Sequence, residues 1–474
     1  MPGELGPMTG RVAVVGGGIT GLAAAHRLTN AGAETVLLEA SDRLGGKVQT
    51  HRIDGFVVEE GPDSFVSGKR HLMDLAAELG VADDVISSRP ENAGSYVYSR
   101  GELHPLPEGL LLMAPSRLGP VLRSPLLSRR GRLRLLADLV KPRGVESGDE
   151  SLASFVERRL GREVLERIAQ PLVAGIHAAE PETMSLAASF PRFLEMERSH
   201  RSLILAAKQA ARQPSQPAGV SYFASFAGGM GTIVSALVDA IAPVDVRRRA
   251  RATALAGGPG AYRLTLADGT EVAAGAVILA VPAREAAALL ATIAPEAATP
   301  VGRIRQVSSA VVTLGFDAAD LPQLDGYGFV VPAVEGRSVT GVTFLSQKWD
   351  GRAGPGRAAI RVFIGGADGQ EPATASEDRL VATARAGLAE LAGISAVPIF
   401  THVATWEGGF HQYTLGHLDR VSAAETELAS RPGLHLAGAA FHGIGLNECV
   451  MSGRAAADAA LAALTSTVSG SQPG

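Results

Sequence analysis

Hydrophobic and polar positions along this chain follow two periods, a strand-like alternation and a helical spacing, and they exchange several times. Val12 to Val15 is a short apolar run rich in β-branched residues that stops at a glycine cluster, as a buried parallel strand does. A helical run from Leu22 to Leu28 ends at Asn30 to Gly32, and Thr35 to Leu38 reads as a second strand. Arg52 to Glu59 reads as a strand pair, after which residues from about Arg70 to Gln213 turn helical, with several prolines. Short strands resume near Ser221. VDVRRRARATAL offers an edge strand around Val246, Tyr262 to Val272 alternates about an Asp268-Gly269 hairpin turn, and Ala276 to Pro282 continues as a buried strand. Val301 to about His402 is β-rich and reads as an antiparallel sheet, which the helix Asp378 to Leu391 would cover. A last strand ends at Ala437-Gly438, a loop runs through Gly443 to Leu446, and an alanine-rich helix starts near Asn447. The tail past Thr465, STVSGSQPG, is expected to be disordered.

The first strand, turn and helix carry candidate chemistry. Gly16, Gly18 and Gly21 have the G-x-G-x-x-G spacing, and Glu39 stands at the end of the second strand. In a dinucleotide site Gly16 permits the tight turn, Gly18 lets backbone approach a pyrophosphate, and Gly21 lets helix and strand pack closely. The phosphates would lie on free N–H groups at the positive end of the helix, and Glu39 would accept from ribose hydroxyls. A second glycine turn with Arg43, Gly45, Gly46 and Lys47 would place a positive group along the pyrophosphate. Gly61, Pro62, Asp63 and Ser64 make a third close-approach loop, and the backbone of Val246 would meet the adenine.

Composition narrows the class. The 474 residues are 46% hydrophobic and 5% aromatic with 56 glycines, which fits a multidomain α/β enzyme. The net charge of −4 argues against general nucleic-acid binding, and one cysteine excludes an intramolecular disulfide framework, as in a reducing cytoplasm. MPGELGPMTG shows no export signal and no apolar run is long enough to span a bilayer, so the expected location is cytoplasmic with peripheral membrane contact at most. Arg129, Arg130, Arg132, Arg134 and Lys141 surround a single acid, Asp138, among Leu133, Leu135, Leu136, Leu139 and Val140. An amphipathic basic helix there would touch an anionic membrane surface, draw in an acidic substrate, or be an ordinary solvated face.

The C-terminal loop and helix favour a flavin over a nicotinamide, because a second helix N-terminus would stabilise the negative charge of a reduced flavin ring. GGGITG, RLGGK, EEGPDS and this C-terminal segment together resemble the flavin amine oxidase superfamily, and within it the porphyrinogen oxidases of haem synthesis. Further points of resemblance are Glu39-Ala40-Ser41, His200 to Leu205, Gln412-Tyr413 with Gly416-His417, and Gly445-Leu446 with Cys449. The resemblance implies an α/β fold in which a Rossmann-type FAD-binding domain with a parallel sheet interleaves with an antiparallel-sheet substrate domain and a helical insertion. The divisions it suggests are 1–90, 220–295 and 406–465 for FAD, 91–212 for the mainly helical insertion, 296–405 for substrate, and 466–474 for the tail.

The same resemblance implies non-covalent FAD held by Gly16, Gly17, Gly18, Ile19, Thr20, Gly21, Glu39, Ala40, Lys47, Gly61, Pro62, Asp63, Ser64, Val246, Trp406, Ile444, Gly445 and Leu446. It implies three two-electron oxidations of a porphyrinogen, coproporphyrinogen or alternatively protoporphyrinogen, with molecular oxygen as acceptor and hydrogen peroxide released. A ferrochelatase or other haem-handling partner could receive the product. An amine oxidase or carotenoid desaturase is the more distant reading. One departure stands out: where the family has Pro-Gln-Tyr, this chain has His411-Gln412-Tyr413. Lys69, after the third loop, is the candidate charged group in the active cavity, and the cations of the insertion would face substrate propionates. Cys449 is expected to be a buried, inert thiol. His402, His411, His417, His435 and His442 share no ligand spacing on one helix face and have no cysteine partners, so no metal site is expected.

Overall fold

A computed structural model describes residues 10–144, 148–212, 221–365 and 373–469. The glycine turn belongs to a five-stranded parallel sheet, ordered Asp245–Arg247, Thr35–Leu38, Val12–Val15, Ala276–Leu279, Leu434–Leu436. Its three inner strands are buried at every residue, which is why they read as continuous apolar runs. Side chains alternate between the two faces. Val12 and Val14 pack under the helix Ile19–Asn30 and the C-terminal helix Leu446–Ser469, while Ala13 and Val15 face the strand Ala261–Leu266 and the helix Ala283–Leu290.

The second sheet has seven strands in the order Phe400–His411, Gln306–Asp317, Arg357–Gly365, Val339–Phe344, Gly328–Val330, Tyr96–Ser99, Glu102–Pro105. It is antiparallel except where Gly328–Val330 runs parallel to Tyr96–Ser99. The helix Glu377–Ala392 covers one face with Leu380, Ala384, Leu388 and Leu391.

Several expectations change in detail. Tyr96–Ser99 and Glu102–Pro105 belong to the large sheet, although the sequence division assigns 91–212 to a mainly helical insertion. Their turn, Arg100-Gly101, has positive φ at both residues (56° and 88°), the geometry that matches strand twist in a two-residue hairpin. Trp406 lies within the edge strand Phe400–His411, so that strand crosses the division at 405 and 406. The alanine-rich helix runs on to Ser469 where a disordered tail was expected from 466, because each residue added to an established helix costs little; 470–474 lie outside the described residues. The stretch RQPSQPAG from Arg212 to Gly219, rich in proline and read as a linker closing the helical insertion, lies mostly outside them too, from 213 on.

The basic section is not one amphipathic helix. It breaks into Leu118–Arg123, Arg129–Leu136 and a 3-10 turn at Ala137–Leu139, with Ser128 capping the middle piece by accepting from Gly131 N at 3.0 Å. Arg134 donates to the carbonyls of Glu157, Arg158 and Arg159, Lys141 to that of Arg158, and Arg132 to that of Ser124. Three of the five cations therefore satisfy helix-end carbonyls, and Arg129 and Arg130 stay exposed. No helix among the described residues is long and apolar enough to cross a membrane.

Candidate functional site

The first helix begins at Gly18 with no capping side chain and no acid in its first turn. Its leading N–H groups therefore have no intrahelical acceptor and face outward as anion donors. Gly16 sits at φ 107°, where a side chain is strained. A Cβ on Gly21 would be driven into the Gly16 carbonyl, 3.0 Å from its carbon and 3.3 Å from Val14 Cγ1. Gly18 differs: a Cβ there would meet only Gly46 Cα, at 4.0 Å, so its outer side is an open cradle. The second glycine turn docks on the first, Gly45 N donating to Gly17 O at 2.8 Å. An open cradle, bare N–H groups and a neighbouring backbone turn fit a pyrophosphate.

Glu39 orders this turn. One carboxylate oxygen accepts from Gly17 N and the other from Ser41 N, each at 2.7 Å, which leaves a second lone pair on each oxygen for a ribose hydroxyl. Ala40 is exposed beside it, and Val246 lies in the edge strand that pairs with Thr35–Leu38. Lys47 turns elsewhere: its Nζ donates to Gly409 O on the edge strand of the large sheet. Burial lowers its pKa against the opposing influence of Cys449 and Glu285. The cation that follows the second turn is Arg43, whose Nη1 donates to Gly46 O at 2.9 Å.

The Gly61 to Ser64 loop is held from behind by charges that the sequence does not bring together. Arg361 donates to Gly61 O at 2.7 Å, Ser225 to Asp63 O at 2.7 Å, and Arg352 to Ser225 Oγ at 2.7 Å. The Asp63 carboxylate takes Lys348 at 3.0 Å and Trp349 Nε1 at 3.1 Å. Burial alone would raise the Asp63 pKa, but Lys348 and Arg361 with these hydrogen bonds hold it well below the carboxylate range. Glu59, fully buried, accepts from Thr50 and Met230 N; burial raises its pKa despite them. Asp63 therefore fixes the loop through its side chain. The missed residues, Lys348, Trp349, Arg352 and Arg361, lie roughly three hundred positions from the loop in sequence, with no local signal to find them.

Trp406 also acts on this loop, its Nε1 donating to Glu60 O at 2.8 Å. Further along the same strand, His411 Nε2 accepts from Ala283 N at 3.3 Å, at the start of the helix Ala283–Leu290. Burial pushes its pKa down to about 3, with the charges of Lys47 and His417 acting in the same sense, so the ring is neutral. That contact gives the departure from Pro-Gln-Tyr a structural role, since a proline there has no side-chain acceptor.

The C-terminal loop is anchored by Tyr413, whose hydroxyl donates to Ala439 O at 3.0 Å and accepts from Gly443 N at 2.6 Å. Its ring stacks on His417 at 3.9 Å, and His417 Nε2 meets Phe441 O at 3.0 Å. Ile444, Gly445 and Leu446 follow directly. Tyr413→Phe is expected to cost about 1–3 kcal/mol, or roughly 5- to 150-fold in flavin retention, read by gel filtration of the diluted protein. The Glu448 side chain curls back over this loop: a Cβ on Gly443 would stand 2.5 Å from Glu448 Cγ. A carboxylate thus already lies at the helix N-terminus that was expected to face the flavin. Lys69 pairs with Glu448 and its side chain is 57% exposed. Residues 68–70 are exposed, so this ion pair is open to solvent at the C-terminal loop. Cys449 is free and buried, and burial pushes its thiol up to about 11 against a hydrogen bond with Thr20.

Comparison with known proteins bears on this geometry. The family model described as flavin containing amine oxidoreductase matches residues 19–461. A coproporphyrinogen III oxidase of Bacillus subtilis (strain 168) is 32% identical, over 96% of this chain and 98% of that one. A protoporphyrinogen oxidase of Homo sapiens is 33% identical, over 94% and 97%. A crystal structure from Exiguobacterium sp. 255-15 superposes with a TM-score of 0.85 at 30% identity, covering 96% of this chain and all of that one. With its bare helix N-terminus, open glycine cradle and this breadth of similarity, the chain belongs to the flavin containing amine oxidoreductase family and is a flavin-dependent oxidoreductase.

Proposed function

We propose that this protein is an FAD-dependent oxidase that converts coproporphyrinogen III to coproporphyrin III by three two-electron oxidations, passing the electrons to oxygen as hydrogen peroxide. The observation that carries the reading is near full-length similarity to coproporphyrinogen III oxidases at 29–35% identity. FAD, bound without a covalent link, supplies the two-electron acceptor. The chain's own residues hold and orient it. The Gly16 to Gly21 turn takes the pyrophosphate, Glu39 and Ala40 the ribose, Val246 the adenine, and Ile444 to Leu446 the ring end. Lys47 and Trp406 act through Gly409 and Glu60, tying the second glycine turn and the end of the Thr50–Glu59 hairpin to the edge strand of the large sheet beside the cofactor. A ferrochelatase or other haem-handling protein is the expected recipient of product, and exposed Leu133 and Val140 beside Arg129, Arg130 and Arg143 suit peripheral contact with an anionic surface.

Protoporphyrinogen IX is the second reading, because a relative of that activity is equally similar. Amine oxidation is disfavoured, since the Trp406 indole donates to Glu60 and Tyr413 stacks on His417. The test is parallel incubation with both porphyrinogens, following porphyrin fluorescence, oxygen uptake and peroxide. A preference of about tenfold or more in kcat/KM for coproporphyrinogen, ~1.4 kcal/mol, is the expected result. Equal or faster turnover of protoporphyrinogen overturns the substrate assignment, and absence of oxygen uptake by the purified chain overturns the oxidase.

A further inference from the structure

Three strand ends outside the flavin turn bring ligand-type atoms to one point. His51 lies in the strand Thr50–Ile53, Glu60 directly follows Phe56–Glu59, and His402 lies near the start of Phe400–His411. Both imidazole Nε2 atoms face the same Glu60 oxygen, at 2.9 Å for His51 and 3.1 Å for His402, and the ligand-type atoms of the three residues all lie within 4.8 Å of one another. The rings are tilted at 45° with centroids 5.5 Å apart, so they converge at their Nε2 edges instead of stacking. Ligand spacing along a single helix does not reveal such a site. This cluster is assembled from strands of two sheets, with His51 and His402 separated by most of the chain.

We propose that His51, Glu60 and His402 form a binding site for a zinc-class divalent transition metal that clamps the first hairpin to the edge strand of the large sheet. The donor set of two imidazoles and a carboxylate suits Zn2+, Cu2+ or Ni2+ far better than Mg2+ or Ca2+, which want oxygen ligands. Zinc bonds of about 2.0–2.2 Å in tetrahedral geometry put ligands roughly 3.3–3.5 Å apart, close to the Nε2 to Oε1 separations. Closing the site therefore asks for small side-chain movements only. The central ligand is pre-positioned by its backbone: Glu60 N donates to Gln49 O at 3.1 Å and Glu60 O accepts from Trp406. The side chains of His51, Glu60 and His402 are 41%, 19% and 24% exposed, which gives the ion an entry path and leaves a fourth position to water. On binding, the metal takes the Nε2 lone pairs, and the proton of each neutral imidazole resides on Nδ1.

Zinc sulfate titrated into the metal-free, flavin-loaded protein, in competition with a chromophoric chelator at about pH 7.5, reads the site directly. One equivalent is expected to bind at micromolar or tighter affinity and to raise the thermal midpoint. His51→Gln and His402→Gln are each expected to weaken binding at least tenfold, on the order seen when a metal site loses support, and the double variant to lose both binding and the thermal shift. Failure of the wild-type chain to bind zinc at about 100 μM, or unchanged binding by the double variant, overturns the proposal. Zinc-edge anomalous scattering from a soaked wild-type crystal needs no variant: a peak within about 2.0–2.2 Å of both Nε2 atoms supports the site, and zinc bound only elsewhere overturns it.

Discussion

Replacing Gly21 with alanine is expected to empty the protein of flavin. The new methyl would meet the Gly16 carbonyl, the Gly16 carbon at 3.0 Å and Val14 Cγ1 at 3.3 Å. Two of these three neighbours are backbone, at the turn that must present its N–H groups to the pyrophosphate, so the clash cannot be relieved by a rotamer change. Overpacking of this kind costs about 1–3 kcal/mol in a core, and here the movement that relieves it displaces the binding turn itself. Flavin content, read as the ratio of absorbance near 450 nm to that at 280 nm, should fall roughly tenfold or more, with helix content unchanged. Gly18→Ala separates packing from binding. Its methyl meets nothing closer than Gly46 Cα at 4.0 Å, so stability should hold while flavin is still lost, because the methyl fills the cradle meant for phosphate. Full flavin content in Gly21→Ala would overturn the assigned role of the turn. Full content in Gly18→Ala would move the pyrophosphate away from that cradle.

Legibility follows the range of the forces involved. The turn, its helix and the buried strands Val12–Val15 and Ala276–Leu279 are readable because their determinants are local: an apolar run of strand length, a glycine where φ is positive, and an open helix start. The Asp268-Gly269 hairpin is readable for the same reason, and it returns the chain to a parallel partner of the first strand as expected. Asp63 shows the limit. The sequence shows an acid in a glycine loop, and only the fold shows that Lys348 and Trp349 hold it from behind. Lys47 likewise donates to Gly409, and Lys69 pairs with Glu448. In each case a residue near the cofactor in sequence is committed by a partner hundreds of positions away. Tyr96 to Pro105 is a different kind of miss. The aromatic and β-branched alternation and the Arg100-Gly101 turn were present, but helical patterning on the far side obscured them.

Arginines of the helical unit are committed to distant partners in the same way. Arg159→Leu is expected to lower the thermal midpoint on the order of 10 °C, the consequence of about 3–5 kcal/mol lost when a buried ion pair keeps one partner. Arg159 and Asp138 are both fully buried, with Arg159 Nε 2.7 Å from Asp138 Oδ1. Asp138 also accepts from Ser202 Oγ at 2.6 Å and Ile204 N at 3.1 Å, and Arg159 donates to the carbonyls of Pro142 and Arg201. The His200 to Leu205 segment, one of the points of resemblance to the family, thus closes a charge centre that joins four segments of the helical unit. Arg158→Met should cost less, since that side chain is 31% exposed where it meets Glu150 and Glu197. A cation reading substrate propionates would behave differently, raising KM with the midpoint unchanged. Arg159→Leu should leave KM of the folded fraction unaltered, because the guanidinium never reaches solvent. Joint replacement of Asp138 and Arg159 by apolar residues should recover part of the loss, since it removes the stranded charge but leaves Ser202 Oγ and Ile204 N without this acceptor. A midpoint shift below about 2 °C in Arg159→Leu, or a rise in KM, would return this arginine to the substrate site.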